Sequence, residues 1–235
     1  EAAALKDDKE FAAAMSGFAY HGYTLLSRKK PYPQQLRSIA ETARGMGKNI
    51  WMTEWSIIAQ KRTPLEHSFD VMQRLGRETS YIPTNYWTWW QGWYYKHPKG
   101  EVLLTGDDDN NLHISKTYRI LQKLWHSAPP GSIVKRVETN DPEMSGYNPY
   151  AVQTVAFDHP RGMTVLLINT TAEAKHPSVR NLSGESATSY LTTDAVDMKA
   201  GPNRALHAGV LEVELPPRSI TLLVTNRGSN SVRRR

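Results

Sequence analysis

The sequence predicts an α/β region followed by an all-β region, and three observations predict it. Apolar residues recur at helical spacing through the first half. Short aromatic or β-branched runs separate these stretches, giving β-α-β-α-β-α order after an opening helix. The pattern changes at Ala128-Pro129-Pro130-Gly131, a run that ends a helix and turns the chain. Beyond it, short alternating runs follow one another with turn residues between them, as in an antiparallel sandwich. No internal repeat is present.

Each element has its own signal. Residues 1–16 are Ala-rich, with Leu5, Phe11 and Met15 as apolar anchors, and are expected to be helical. Phe18 to Tyr23 is a short aromatic strand. Pro33 opens a helix whose one face carries Leu36, Ile39, Ala40, Ala43 and Met46, and Gly45 and Gly47 end it. Asn49 to Trp55 is the next strand. Thr63-Pro64-Leu65-Glu66 is a capping box with Pro at the first helical position, and Leu65, Phe69, Met72 and Leu75 line the buried side of the helix it starts. Ile82 to Gln91 is a third strand. A polar loop from Lys96 to Asn111 leads to a helix with Ile114, Tyr118, Leu121 and Leu124 inward. Expected strands then cover 133–137, 151–157, 164–169, 189–193, 210–215 and 220–225, with His159-Pro160-Arg161-Gly162 as a hairpin turn.

Composition narrows the function classes. The chain has 235 residues, 39% hydrophobic and 22% charged, ordinary for a globular protein. No run approaches the ~20 apolar residues of a membrane span. Residue 1 is Glu and no signal segment follows it, so the chain is expected to begin after processing or within a longer protein. With no cysteine, disulfides and thiolate chemistry are excluded. The net charge is +6, and Arg233, Arg234 and Arg235 supply half of it, in a tail over 229–235 expected to be disordered. Lys and Arg do not gather with the aromatic residues elsewhere, which argues against nucleic-acid binding. Asp107 to Asn111 lacks the glycine and the closing glutamate of a calcium loop and is expected to be a solvated loop. Asn169-Thr170-Thr171 and Asn181-Leu182-Ser183 fit the glycosylation pattern of a eukaryotic secretory route.

Two stretches carry chemistry. Trp51-Met52-Thr53-Glu54-Trp55-Ser56 ends a strand in a lone carboxylate. Tyr86-Trp87-Thr88-Trp89-Trp90-Gln91-Gly92-Trp93 ends another in indoles, and six of the seven tryptophans lie between positions 51 and 93. A core rarely localises tryptophan so sharply, although Trp-rich strands are also read as core. A carboxylate beside flat rings suits glycosidic-bond chemistry: the acid attacks or stabilises an oxocarbenium-like sugar, and the rings pack on its C–H face. Both stretches lie at the C-terminal ends of strands, where barrel active sites sit.

Three motifs stand in order: Ala19-Tyr20-His21-Gly22-Tyr23, Trp51-Met52-Thr53-Glu54 and Trp87-Thr88-Trp89-Trp90-Gln91. They resemble the sixth, seventh and eighth barrel strands of a glycoside hydrolase family 30 enzyme, the group of glucosylceramidases, endo-xylanases and endo-β-1,6-galactanases. Tyr118 to Val137 resembles that family's helix and linker into its side β-sandwich, and Leu215-Pro216-Pro217-Arg218-Ser219-Ile220-Thr221 its end. The resemblance covers nearly the whole chain. It implies the last three β/α units of a (β/α)8 TIM barrel over 1–128 and an antiparallel β-sandwich over 129–228. The first five barrel strands, and the loop with the acid/base glutamate preceded by Asn, have no counterpart in the chain.

The implied activity is a retaining glycoside hydrolase acting on β-linked glycans or glycosides, with Glu54 as nucleophile and the acid/base outside this chain. Tyr23 is expected to donate a hydrogen bond to Glu54, and His21 to bond Glu54 or a sugar hydroxyl; each is also read as a core residue. Trp90 is the expected sugar platform, Gln91 reaches a hydroxyl, and Trp55, Trp93 and Tyr94 line neighbouring subsites or pack loops. The chemistry calls for no cofactor and no metal. The expected partners are a carbohydrate substrate and either the missing barrel half or a second copy, which would cover Phe18, Ile50, Met52 and Tyr86. The expected location is secreted, cell-surface or periplasmic. The competing reading is a non-catalytic carbohydrate-binding or structural protein that uses the Trp-rich surface.

Overall fold

The computed structural model describes residues 8–23, 32–56, 62–82, 84–90, 92–95, 102–109, 111–135 and 153–227. The tail over 229–235, Leu5 and Gln91 lie outside the described residues.

The first half is built on a parallel sheet. Its strands β1 (Gly17–His21), β2 (Asn49–Glu54) and β3 (Thr84–Trp87) pair in that order, all parallel. Helix α1 (Lys9–Ala14) precedes them, and Asp8 caps it by accepting from the Phe11 N–H. Helices α2 (Tyr32–Gly45) and α3 (Pro64–Tyr81) connect the strands. The capping box at Thr63 and Glu66 is formed in both directions. Leu65, Phe69, Met72 and Leu75 are all buried, as the helical spacing predicts.

Strand parity corrects one expectation. Ile50 and Met52 face the helices and are buried, Ile50 with Ala40, Ala43 and Ile82. Phe18 packs on the same cluster. The opposite face carries Ala19, Trp51 and Tyr86, adjacent in register, and Tyr86 is 57% exposed.

The third strand is shorter than expected because the chain leaves the sheet after Trp87. Backbone N–H groups of Thr88 and Trp90 bond the carbonyls of Met52 and Trp55 instead. A small sheet then forms within and beside the expected loop: β4 (Trp93–Tyr95), β5 (Leu104–Gly106) and β6 (Leu112–Ile114). Ile114, expected on a helix face, lies in β6 and is exposed. Helix α4 (Lys116–Ser127) starts at its Ser115 cap and buries Thr117, Ile120, Leu121, Leu124 and Ser127.

The second half is a six-stranded antiparallel sheet. It contains β7 (Ile133–Lys135), β8 (Gln153–His159), β9 (Gly162–Asn169), β11 (Ser186–Thr192), β12 (Lys199–Ala205) and β14 (Ser219–Asn226), in the order β12-β11-β14-β9-β8-β7. The hairpin at His159 to Gly162 forms as expected. Gly162 holds φ at +150°, and a Cβ there would stand 2.3 Å from the Thr225 carbonyl oxygen, so only glycine fits. A two-stranded pair, β10 (Ser178–Val179) with β13 (Leu211–Glu212), covers one face of this sheet. Neither β10 nor β12 was expected: β10 has two residues, and β12 is a polar edge strand with Gly201 and Pro202 inside it.

Residues alternate between two cores. Ala156, Val165, Leu167 and Leu223 pack with Leu182, Leu211, Val213 and Leu215. Val155, Phe157, Leu166, Ile168, Ile220 and Leu222 join Phe69, Met72 and Leu75 of α3 and Ile120, Leu121 and Leu124 of α4 in one cluster. A single hydrophobic cluster therefore spans both halves. Gly76 of α3 faces Val155, and a Cβ at residue 76 would stand 3.7 Å from the Val155 side chain, an ordinary packing distance.

Candidate active site

Glu54 sits at the C-terminal edge of the middle parallel strand. Its carboxylate is 29% exposed, enough for a ligand to reach it. His21, its register partner at the end of β1, places Nε2 3.8 Å from Glu54 Oε2, an ion-pair distance rather than a hydrogen bond. The His21 ring meets Tyr23 edge-on at 6.3 Å. The Tyr23 hydroxyl does not bond Glu54 as expected. It shares a 3.1 Å hydrogen bond with Ser56 Oγ, because the turn after β1 carries it past the carboxylate to the loop after β2.

The indoles divide into two sets. Trp90 and Trp93 are exposed, 49% and 58%, and Tyr94 is exposed beside Trp93. Trp90 is tied to the strand end by its N–H on the Trp55 carbonyl at 2.8 Å, one residue beyond Glu54. Trp55 corrects the expectation of a neighbouring subsite: it is 6% exposed, its ring meets Trp89 edge-on at 5.1 Å, and the Arg74 guanidinium lies 4.9 Å from its centroid. Its faces are occupied by the protein. The structure thus brings His21, Glu54, Tyr23 and Trp90 to one edge, and sends Trp55 into the core.

Beneath this edge lies a pair that the sequence reading missed. Arg74 and Glu78, one turn apart on α3, are 2% and 0% exposed, and Arg74 Nε donates to Glu78 Oε1 at 2.5 Å. Arg74 also donates to the Gly22 carbonyl at 2.6 Å, and the Trp87 indole N–H donates to Glu78 Oε2 at 2.7 Å. Burial, and then the Glu78 charge, push the Tyr20 hydroxyl far above the ordinary tyrosine range. One signal was present: Glu78 continues the stripe Leu65, Phe69, Met72, Leu75 by three residues, so a charge falls on a buried face.

Farther out, His67 is buried between α3 and α4, where Nδ1 meets the Thr117 hydroxyl at 3.2 Å. Burial first, and the Arg62 charge second, hold its pKa down at about 4. Asp107 closes its loop by accepting from the Asp109 and Asn111 N–H groups and from His113, and is held at about 2, chiefly by the His113 contact. Asn169 is fully buried and donates to the carbonyls of Glu173, Leu215 and Pro216, which removes it as a glycosylation site. Asn181 is exposed, with φ at +59°.

No protein-family model matches the chain, and no curated protein sequence matches it. Solved structures do match its fold. An endoxylanase of glycoside hydrolase family 30 from Clostridium papyrosolvens aligns with 94% of this chain and 52% of its own, at a TM-score of 0.68 and 22% identity. A family 30 subfamily 8 xylanase from Clostridium acetobutylicum aligns with 94% of this chain and 51% of its own, at 0.71 and 17%. An endo-β1,6-glucanase aligns with 96% of this chain and 44% of its own, at 0.62 and 15%. The chain spans about half the length of these structures. At such identities the likeness is one of fold, and the resemblance to glycoside hydrolase family 30 enzymes, read first from short motifs, holds at that level.

Proposed function

We propose that the chain is the C-terminal part of a retaining glycoside hydrolase acting on β-linked glycans, with Glu54 as nucleophile. One observation carries this reading: a partly exposed carboxylate at the C-terminal edge of the middle strand of a parallel sheet, with His21 beside it and an exposed tryptophan bonded to the next loop. In barrel enzymes the catalytic groups come from that edge.

In this reading residues 1–128 are the last three β/α units of a (β/α)8 barrel and 129–228 a β-sandwich beside it. The face of Ala19, Trp51 and Tyr86 supports it, because parallel sheets are normally covered on both faces, and among the described residues helices cover only one. That face would line the barrel interior. Retention requires a second carboxyl about 5–5.5 Å from the nucleophile. Glu78 is unsuited, being fully buried and paired; the family resemblance implies an acid/base on an earlier barrel strand, outside residues 1–235. His21 orients Glu54, Trp90 stacks on the sugar, and Trp93 extends the aromatic surface. Tyr23 holds the Glu54 loop through Ser56. Secretion or surface display agrees with a polymeric substrate, and no helix among the described residues is long and apolar enough to cross a membrane.

The test is Glu54→Gln in the protein at its encoded length, assayed on xylan and aryl β-glycosides. The swap is nearly isosteric and removes only the anionic nucleophile. Turnover is expected to vanish while the circular dichroism spectrum stays unchanged. Activity within about tenfold of wild type would remove Glu54 from that role. A wild-type protein that binds β-glycans and cleaves none would favour the carbohydrate-binding reading.

A further inference from the structure

The three strand ends that carry the candidate site meet on one buried ion pair. Arg74 reaches the end of β1 through the Gly22 carbonyl, next to His21. It reaches the end of β2 through the ring of Trp55, next to Glu54. Glu78 reaches the end of β3 through the indole of Trp87, just before the turn to Trp90. The Arg74–Glu78 bond joins these contacts on a single turn of α3. The approach is tight: a Cβ at Gly22 would stand 2.8 Å from the Arg74 guanidinium and 3.0 Å from Trp55, so residue 22 has no room for a side chain.

A buried ion pair is a poor device for stability alone, since desolvation offsets most of its Coulombic gain and apolar residues of similar volume often do as well. Geometry is what this pair supplies. A planar guanidinium has directed donors on several edges and a flat face, and here those edges and that face meet a carboxylate, a carbonyl and an indole. A lysine ammonium cannot meet all three.

We infer that Arg74 and Glu78 are positioning residues that set His21, Glu54 and Trp90 relative to one another, without touching substrate. The inference rests on the reading of Glu54 as the functional carboxylate. It explains why a charged pair lies under the one all-parallel sheet among the described residues, on the helix that follows the Glu54 strand.

The experiment compares wild type with Arg74→Met/Glu78→Leu, both at encoded length, in steady-state kinetics on xylan and in amide NMR. The double variant removes both charges together, so it leaves no lone buried ion. Expected are a retained fold, a kcat lower by about 100-fold and a KM nearly unchanged, because misplacing reacting groups by about 1 Å costs that much in rate. The backbone signals of His21, Glu54 and Trp90 are expected to broaden. A folded double variant with wild-type kcat and wild-type signals at these residues overturns the inference. Should the double variant fail to fold, Arg74→Lys decides: lower kcat at a wild-type melting temperature supports positioning, and wild-type kcat overturns it. Should the wild type cleave no glycoside, the functional reading fails by itself. The NMR comparison then decides the positioning role, with broadened signals supporting it and unchanged signals overturning it.

Discussion

The two sheets of this protein are finished to different degrees. In the six-stranded antiparallel sheet both faces are covered: Val165 and Leu167 lie under the β10–β13 pair, while Leu166 and Ile168 lie on α3 and α4. In the three-stranded parallel sheet the described residues cover only the face of Ile50 and Met52, and Ala19, Trp51 and Tyr86 stand on the other. The covered sheet holds no candidate chemistry; the half-covered one ends in Glu54, His21 and the exposed indoles. The larger core and the candidate site thus belong to different sheets, and α3 connects them, with Phe69 and Met72 in the core of one and Arg74 and Glu78 beneath the edge of the other.

The contrast breaks first where the covered sheet is emptied. Leu166→Ala, at a fully buried central position, is expected to cost about 2–5 kcal/mol in urea unfolding. Because one cluster spans both halves, tryptophan fluorescence, which reports mainly on residues 51–93, and β-sheet circular dichroism should lose structure together. Two separate transitions would show halves that fold independently.

A smaller effect is expected at the junction of α3 and α4. The folded-state pKa of His67 is about 4, below its ordinary value of 6.5. Between those values the unfolded chain takes a proton that the folded chain refuses, so stability is full above pH 6.5 and falls as pH drops towards 4. The loss is on the order of 3 kcal/mol. Asp107 contributes little in this window, since a pKa lowered from 3.8 to about 2 acts mainly between those two values. His67→Asn should reduce the slope, leaving the share of His159, whose pKa burial also lowers; an unchanged slope would assign the dependence elsewhere.

The smallest effect belongs to the open face. Tyr86→Ser is expected to change the stability of residues 1–235 by less than about 0.5 kcal/mol, as for an exposed site. A larger loss that grows with protein concentration would reveal a second copy seated there.

Much of this was legible in the sequence wherever a local rule decided the outcome. The capping box at Thr63 and Glu66 fixed the start of α3, and the His159–Gly162 turn fixed the β8–β9 register. The strand bearing Glu54 was legible for the same reason, its run ending in a carboxylate. What was not legible depends on three dimensions. Trp55 and Trp90 are both indoles at strand exits, and nothing local says that the first is packed by Trp89 and Arg74 while the second is open. Strands β4 to β6 have three residues each and are mostly exposed, too short for alternation to register. The expected Tyr23–Glu54 bond is replaced by one to Ser56, a partner that follows from the turn at Gly22.

The single apolar cluster shared by both halves has a consequence for how such a protein changes over evolutionary time. The backbone passes from one half to the other at Ala128-Pro129, which looks like a natural place for genetic exchange. Packing does not respect that seam. A recombinant that kept the β region and replaced the helices would inherit a sheet whose residues Val155, Leu166 and Leu222 pack with Phe69, Met72 and Leu75 of α3 and Ile120, Leu121 and Leu124 of α4, and a foreign pair of helices would leave voids or overlaps there. The β region is therefore expected to be inherited with its helices as one unit, not traded between lineages as an independent module.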